Sequence, residues 1–114
     1  MKKIILLGTA ALLGVSCGTT TSLYDWKGYD SAVYSYVRSP DEKNVQSLVT
    51  VYEKMIQSPG GSRQVPPPGI YADYGFLMIQ AGQNEKALEL LAKEVELYPE
   101  SKPFIDRIIK RLEK

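Results

Sequence analysis

Beyond residue 22, apolar side chains return every three or four positions with polar ones between them. This is the period of helices that each bury one stripe. Trp26, Tyr29, Val33 and Tyr36 form such a stripe and predict a helix over 23–37, with Gly28 its weak point. Ser39, Pro40 and Glu42 then read as a capping box with proline at the first helical position. The helix they open carries Val45, Leu48, Val49, Tyr52, Met55 and Ile56 on one face, and "SPGGS" (58–62) ends it. Pro66, Pro67 and Pro68 hold the linker 63–69 extended. Tyr71, Tyr74, Met78 and Ala81 resume the helical spacing. Gly82 closes that helix, and Asn84 is placed to cap the next. The fourth stripe is Ala87, Leu88, Leu91, Val95 and Tyr98, stopped by Pro99. Ser101 is the expected N-cap of a last helix striped by Phe104, Ile105, Ile108, Ile109 and Leu112. In the third helix Phe76, Leu77 and Ile79 are apolar although they lie off the stripe, which predicts a central helix covered on both sides. The fold class is therefore all-α, with five helices of about 12–17 residues and no competing strand pattern.

The first residues follow a different pattern. Lys2 and Lys3 precede an uncharged apolar run from Ile4 to Val15. A helix of that length spans about 18 Å, short of a bilayer core of about 30 Å, so the run reads as a secretory signal. The sole cysteine, Cys17, lies where cleavage would fall. Gly14-Val15-Ser16-Cys17 resembles a bacterial lipobox, departing from it at Gly14, where such boxes usually carry Leu. The resemblance implies a signal peptide over 1–16, diacylglycerol on the Cys17 sulfur and acylation of the new amine. Two or more acyl chains would hold the chain stably on a membrane. "GTTTS" then reads as part of a lipidated tether over 17–22, ahead of a helical domain over 23–114. Gly18 stands where an Asp would favour inner-membrane retention. Resemblance to that sorting pattern implies the outer membrane, facing the periplasm.

Residues 71–99 carry a further spacing. Tyr71, Tyr74-Gly75, Met78, Gly82, Ala87, Leu91 and Pro99 resemble the signature of a tetratricopeptide helix pair. Glu94 departs from it, standing where the repeat prefers a small residue, which argues against tight packing there. Trp26, Tyr29 and Val33 resemble the start of the same signature, and Ser39–Gln57 fits after an insertion of a few residues. The resemblance implies two tetratricopeptide-like hairpins plus a C-terminal helix that covers the apolar face the second pair leaves open. The segments "LYDWKGYDSAVYSY", "VPPPGIYADYGFLMIQAG", "EKALELLAKEVELYPES" and "FIDRIIK" also resemble a family of small, uncharacterised bacterial envelope lipoproteins. Members of that family are often encoded beside lipoproteins similar to the curli secretion channel. The resemblance implies an envelope assembly, with such a lipoprotein as a protein partner.

Charge and chemistry narrow the function. The chain's formal net charge is +1; without Lys2 and Lys3 its 14 basic residues become 12, against 13 acidic. No strong field is available for a polyanion, and nucleic-acid binding is disfavoured. There is no histidine, and the only thiol is expected to be acylated. That disfavours Ser-His and Cys-His nucleophiles and most zinc sites, and no cofactor is expected. Gly60-Gly61-Ser62-Arg63 reads as turn chemistry rather than a phosphate loop. Glu85, Glu89, Glu94 and Glu96, interleaved with Lys86 and Lys93, read as a solvated face with Glu89 and Lys93 in favourable order. Arg107, Lys110, Arg111 and Lys114 suit the dipole at the end of the last helix, with anionic headgroups as the functional alternative. The proline run reads as a strap entering the third helix rather than a displayed ligand.

What remains is aromatic surface. By analogy with similar repeats, Tyr24, Lys27, Ser31 and Tyr34 of the first helix, with Ala72, Phe76 and Ile79 of the third, are the expected partner groove. The alternative is that the terminal helix or the tether fills it. The leading expectation is a non-catalytic scaffold or adaptor. The others are a small carboxylate-dependent hydrolase of cell-wall glycan and a structural envelope protein without a dedicated partner.

Overall fold

The computed structural model describes residues 22–113. The expectations for the signal peptide, Cys17 and most of the tether lie outside those residues. Five α-helices follow one another: α1 (Tyr29–Arg38), α2 (Glu42–Gln57), α3 (Ile70–Gln80), α4 (Asn84–Leu97) and α5 (Lys102–Leu112). A single 3₁₀ turn, Pro99–Ser101, leads into α5, and no strand occurs among the described residues. The all-α expectation holds.

The first helix starts later than its stripe suggests. Lys27 (φ 42°) and Gly28 (φ 80°) both take left-handed backbone, which a helix cannot continue through. Residues 22–28 therefore form a non-helical lead-in. Trp26 keeps its place beside Tyr29, with ring centroids 5.4 Å apart. The lead-in is fastened to the α2–α3 loop, where Ser62 and Arg63 amides donate to the Ser22 and Leu23 carbonyls at 2.9 and 3.1 Å. Gly61 permits that approach, because a Cβ there would sit 2.5 Å from the Leu23 carbonyl oxygen.

The N-cap of α2 is Asp41, not Ser39. Ser39 precedes a proline and ends α1, its amide donating to the Ser35 carbonyl at 2.9 Å. Asp41 has the extended backbone of a cap, and its Oδ1 accepts from the Asn44 amide at 2.9 Å. A carboxylate there also meets the positive end of the helix dipole. Asn44 then ties the corner together by donating its side-chain amide to the carbonyls of Ser35 and Ser39.

Two apolar clusters share α3. Leu48, Tyr52 and Met55 of α2 meet Ile70, Tyr74, Leu77 and Met78 of α3 and Ala87 and Leu90 of α4. On the other side Ala72 joins Leu91 and Ile105, with Phe76, Val95 and Ile108 packed around them. The apolar residues off the predicted stripe are thus explained, since α3 is covered on both faces. Its buried line begins one residue earlier than expected, at Ile70, and Ala81 is exposed. Burying Met55, Ile70, Leu91 and Ile105 completely stabilises the fold by about 1.5–3 kcal/mol each.

The α3–α4 hairpin is close-packed at its crossing. A Cβ on Gly75 would lie 3.1 Å from Leu91 Cδ2, and Ala87 is fully buried opposite. Gly82 (φ 77°) makes the turn, and the Gln83 amide donates to the Met78 carbonyl at 2.8 Å. The residue flanking α4 is Gln83, without a side-chain cap, so Asn84 is the first helical residue rather than the cap. Ser101 does flank α5, but its hydroxyl turns back and donates to the Tyr98 carbonyl at 2.7 Å.

The prolines act as a strap. Pro66 and Pro67 are buried, and the Tyr98 hydroxyl donates to the Pro66 carbonyl at 2.8 Å. The start of α3 is thereby bound to the end of α4.

Candidate partner-binding face

The side chains that α1 and α3 turn toward each other, with Leu48 and Tyr52 of α2, line an open hollow of about 220 Å³. Tyr29, Val33, Tyr36 and Val37 form the α1 wall, and Asp73, Phe76 and Gln80 the α3 wall. Two hydrogen bonds span it. Tyr29 Oη donates to Asp73 Oδ2 at 2.7 Å, and Tyr36 Oη donates to Gln80 Oε1 at 2.8 Å. Asp73 and Gln80 are seven residues apart, two turns of one helix, so both pins stand on the same edge of α3.

Burial, together with the hydrogen bond to Asp73, pushes the Tyr29 hydroxyl up to about 12. Burial likewise raises Tyr52, and burial with the Glu53 bond raises Tyr74. At neutral pH these groups are proton donors, which fixes the direction of the Tyr29 and Tyr74 bonds. Tyr74 Oη donates to Glu53 Oε1 at 2.5 Å. Trp26, Tyr29, Tyr52 and Tyr74 form a continuous aromatic series, with centroids 5.4, 6.1 and 5.4 Å apart.

A second hollow of about 320 Å³ lies between α3 and α5 and shares Asp73 and Phe76 with the first. Its floor is Ala72 and Ile105, and Phe104 stands across from Phe76 in an edge-to-face pair at 6.2 Å. Phe104 is 55% exposed, although its stripe position predicted burial. The two hollows make one aromatic-lined face across α1, α3 and α5.

Glu94 closes one end of the second hollow from below. It is 2% exposed, so it does not belong to the solvated face expected for α4. Its two oxygens accept from the Gly69 and Ala72 amides at 3.2 and 3.0 Å. Those are the N-cap and third-residue amides of α3, a helix whose glycine cap has no side chain to offer. The residue that departs from the repeat spacing thus supplies the missing cap from another helix. Lys93 pairs with Glu96 at 3.2 Å rather than with Glu89, on the exposed side.

The residues expected to form the groove are dispersed. Tyr24 and Lys27 precede α1. Tyr24 lies under the Arg63 guanidinium at 6.0 Å, and Lys27 Nζ pairs with Asp25 at 3.1 Å. Ser31 and Tyr34 are exposed on α1 and line neither hollow. Ala72 and Phe76 come together in the second hollow, and Phe76 lines both. Ile79 is half-buried between the two apolar clusters. The hollow is lined instead by Tyr29, Val33 and Tyr36, whose stripe predicted only core, and by Asp73 and Gln80. The available signal was the polar pair seven apart on an otherwise apolar helix.

Among the described residues no group of three or more acidic or thiol side chains could hold a metal ion. No described helix is long and apolar enough to cross a membrane. A family model described as "Domain of unknown function (DUF4810)" matches residues 23–108. No curated protein and no solved structure matches the chain significantly.

Proposed function

We propose, from the premise that this chain belongs to the DUF4810 family of domains of unknown function, that it is a non-catalytic scaffold. In this reading it is an outer-membrane lipoprotein anchored through Cys17 and facing the periplasm. Its tetratricopeptide-like helices hold a partner within an envelope assembly, and a lipoprotein similar to the curli secretion channel is the partner proposed. The observation that carries the reading is the aromatic-lined face across α1, α3 and α5, pinned by the Tyr29–Asp73 and Tyr36–Gln80 bonds. Rigid aromatic side chains held in a concavity offer contact area at small ordering cost. The lipobox-like run and the helix-pair spacing of 71–99 support the anchor and the repeat.

Photo-crosslinking in intact cells tests this. A crosslinking residue replaces Val37, Gln80 or Phe104 on the aromatic face, and Gln46 or Glu89 as exposed controls elsewhere. One defined neighbour is expected from the first set and not from the controls. Identical products from both sets would overturn the reading.

A further inference from the structure

The charges around the aromatic face are one-sided. The two hollows are lined by Asp73, Glu94 and Glu100, and no lysine or arginine lines either one. The chain as a whole is nearly neutral, so this is local segregation. Among the described residues neither Asp73 nor Glu100 forms an ion pair; the pairs found are Lys27–Asp25, Lys93–Glu96 and Lys102–Asp106. Glu94 is spent internally on the α3 amides. Those two amides at the start of α3 are therefore already filled by a carboxylate of the chain itself.

Between the two unpaired carboxylates lies the apolar slot of Ala72, Phe76, Phe104 and Ile105. Its volume of about 320 Å³ falls at the low end of ligand sites, about 300–1,000 Å³, and suits one large side chain and its neighbours. The exposed Phe104 ring forms one wall and the half-buried Phe76 the other.

We propose that the slot between α3 and α5 takes a polypeptide segment in which a bulky apolar side chain is flanked by lysine or arginine. The apolar side chain enters between Phe76 and Phe104, and the flanking cations meet Asp73 and Glu100. Charge complementarity selects this occupant over an acidic segment, which would place like charges together in a partly desolvated site. The inference rests on the scaffold reading and adds the chemistry of the partner.

The test uses the full chain in detergent micelles and three fluorescent ten-residue peptides. They are identical except that a central phenylalanine is flanked by arginine, glutamine or glutamate. Binding is read by anisotropy. The expected order is arginine, glutamine, glutamate, with the first about tenfold tighter than the last. High salt should compress that ratio. Glu100→Lys should reverse the preference, and Phe104→Ala should weaken all three. Both residues are exposed. If Phe104→Ala unfolds the chain, the Glu100→Lys reversal decides alone. Equal binding of the three peptides, or none, overturns the proposal. So does a dimer in sedimentation that Glu100→Lys dissolves, which would make a second copy the occupant. A defined neighbour crosslinked in cells without any arginine preference sinks this inference and leaves the scaffold reading standing.

Discussion

Glu94 holds the Gly69 and Ala72 amides from a helix further along the chain, and the glycine cap of α3 makes no side-chain bond of its own. Glu94→Ala would orphan one buried and one half-buried N–H group at a helix start and leave a void beside them. The expected cost is about 3 kcal/mol, measured as a lower urea midpoint with an unchanged slope. Glu94→Gln keeps one carbonyl acceptor and should lose about half as much. The anomaly of this position was legible in the sequence, since a glutamate stood where the repeat favours a small residue. Its meaning was not. Whether a carboxylate is solvated or buried depends on partners 22 and 25 residues away, and periodicity carries no information about them. The same holds for Tyr29 and Tyr36. Their spacing announced burial, but only the paired Asp73 and Gln80 show that their hydroxyls stand at an open edge.

At the scale of the helices, period fixed the faces and local backbone chemistry fixed the ends. The lines Leu48–Tyr52–Met55 and Ala87–Leu91 are buried as their spacing required, and α3 is central as its surplus of apolar residues required. The ends were read less well. Two residues with left-handed backbone delay α1, and neither pattern nor composition requires Lys27 to be one of them. At α2 the spacing of Ser39, Pro40 and Glu42 pointed to the serine, but the cap is Asp41. The helix begins only at Glu42, leaving Pro40 and Asp41 outside it, so the carboxylate stands at the cap position and the serine two residues before it. Asp41→Ala should therefore destabilise the protein by about 1 kcal/mol. Ser39→Ala, which removes only the 3.2 Å hydroxyl contact to Asp41, should cost less. Thermal melts of the two variants side by side check the order, and the reverse order would restore the serine as cap.

For the whole molecule, the buried tyrosines tie stability to alkaline pH. Folding raises the Tyr29 and Tyr98 hydroxyls from 10.0 to about 12, burial being the leading cause in each, and shifts Tyr52, Tyr71 and Tyr74 upward too. A raised folded pKa means the folded state keeps its proton while the unfolded state loses it. Below pH 10 both states are protonated and the stabilisation is complete. It is lost as pH rises from 10 through about 12. Urea midpoints should stay level to about pH 9.5 and then fall steeply, with late tyrosinate absorbance accompanying unfolding. A flat profile to pH 12 would contradict the burial described. The lead-in that Ser62 and Arg63 fasten at Ser22 and Leu23 has a larger consequence. If Cys17 carries the proposed fatty chains, five steps of backbone would separate it from Ser22, a leash of about 18 Å at full stretch. The bundle would then ride low over the headgroups, and the neighbours it could meet would be those standing at the same height in that leaflet.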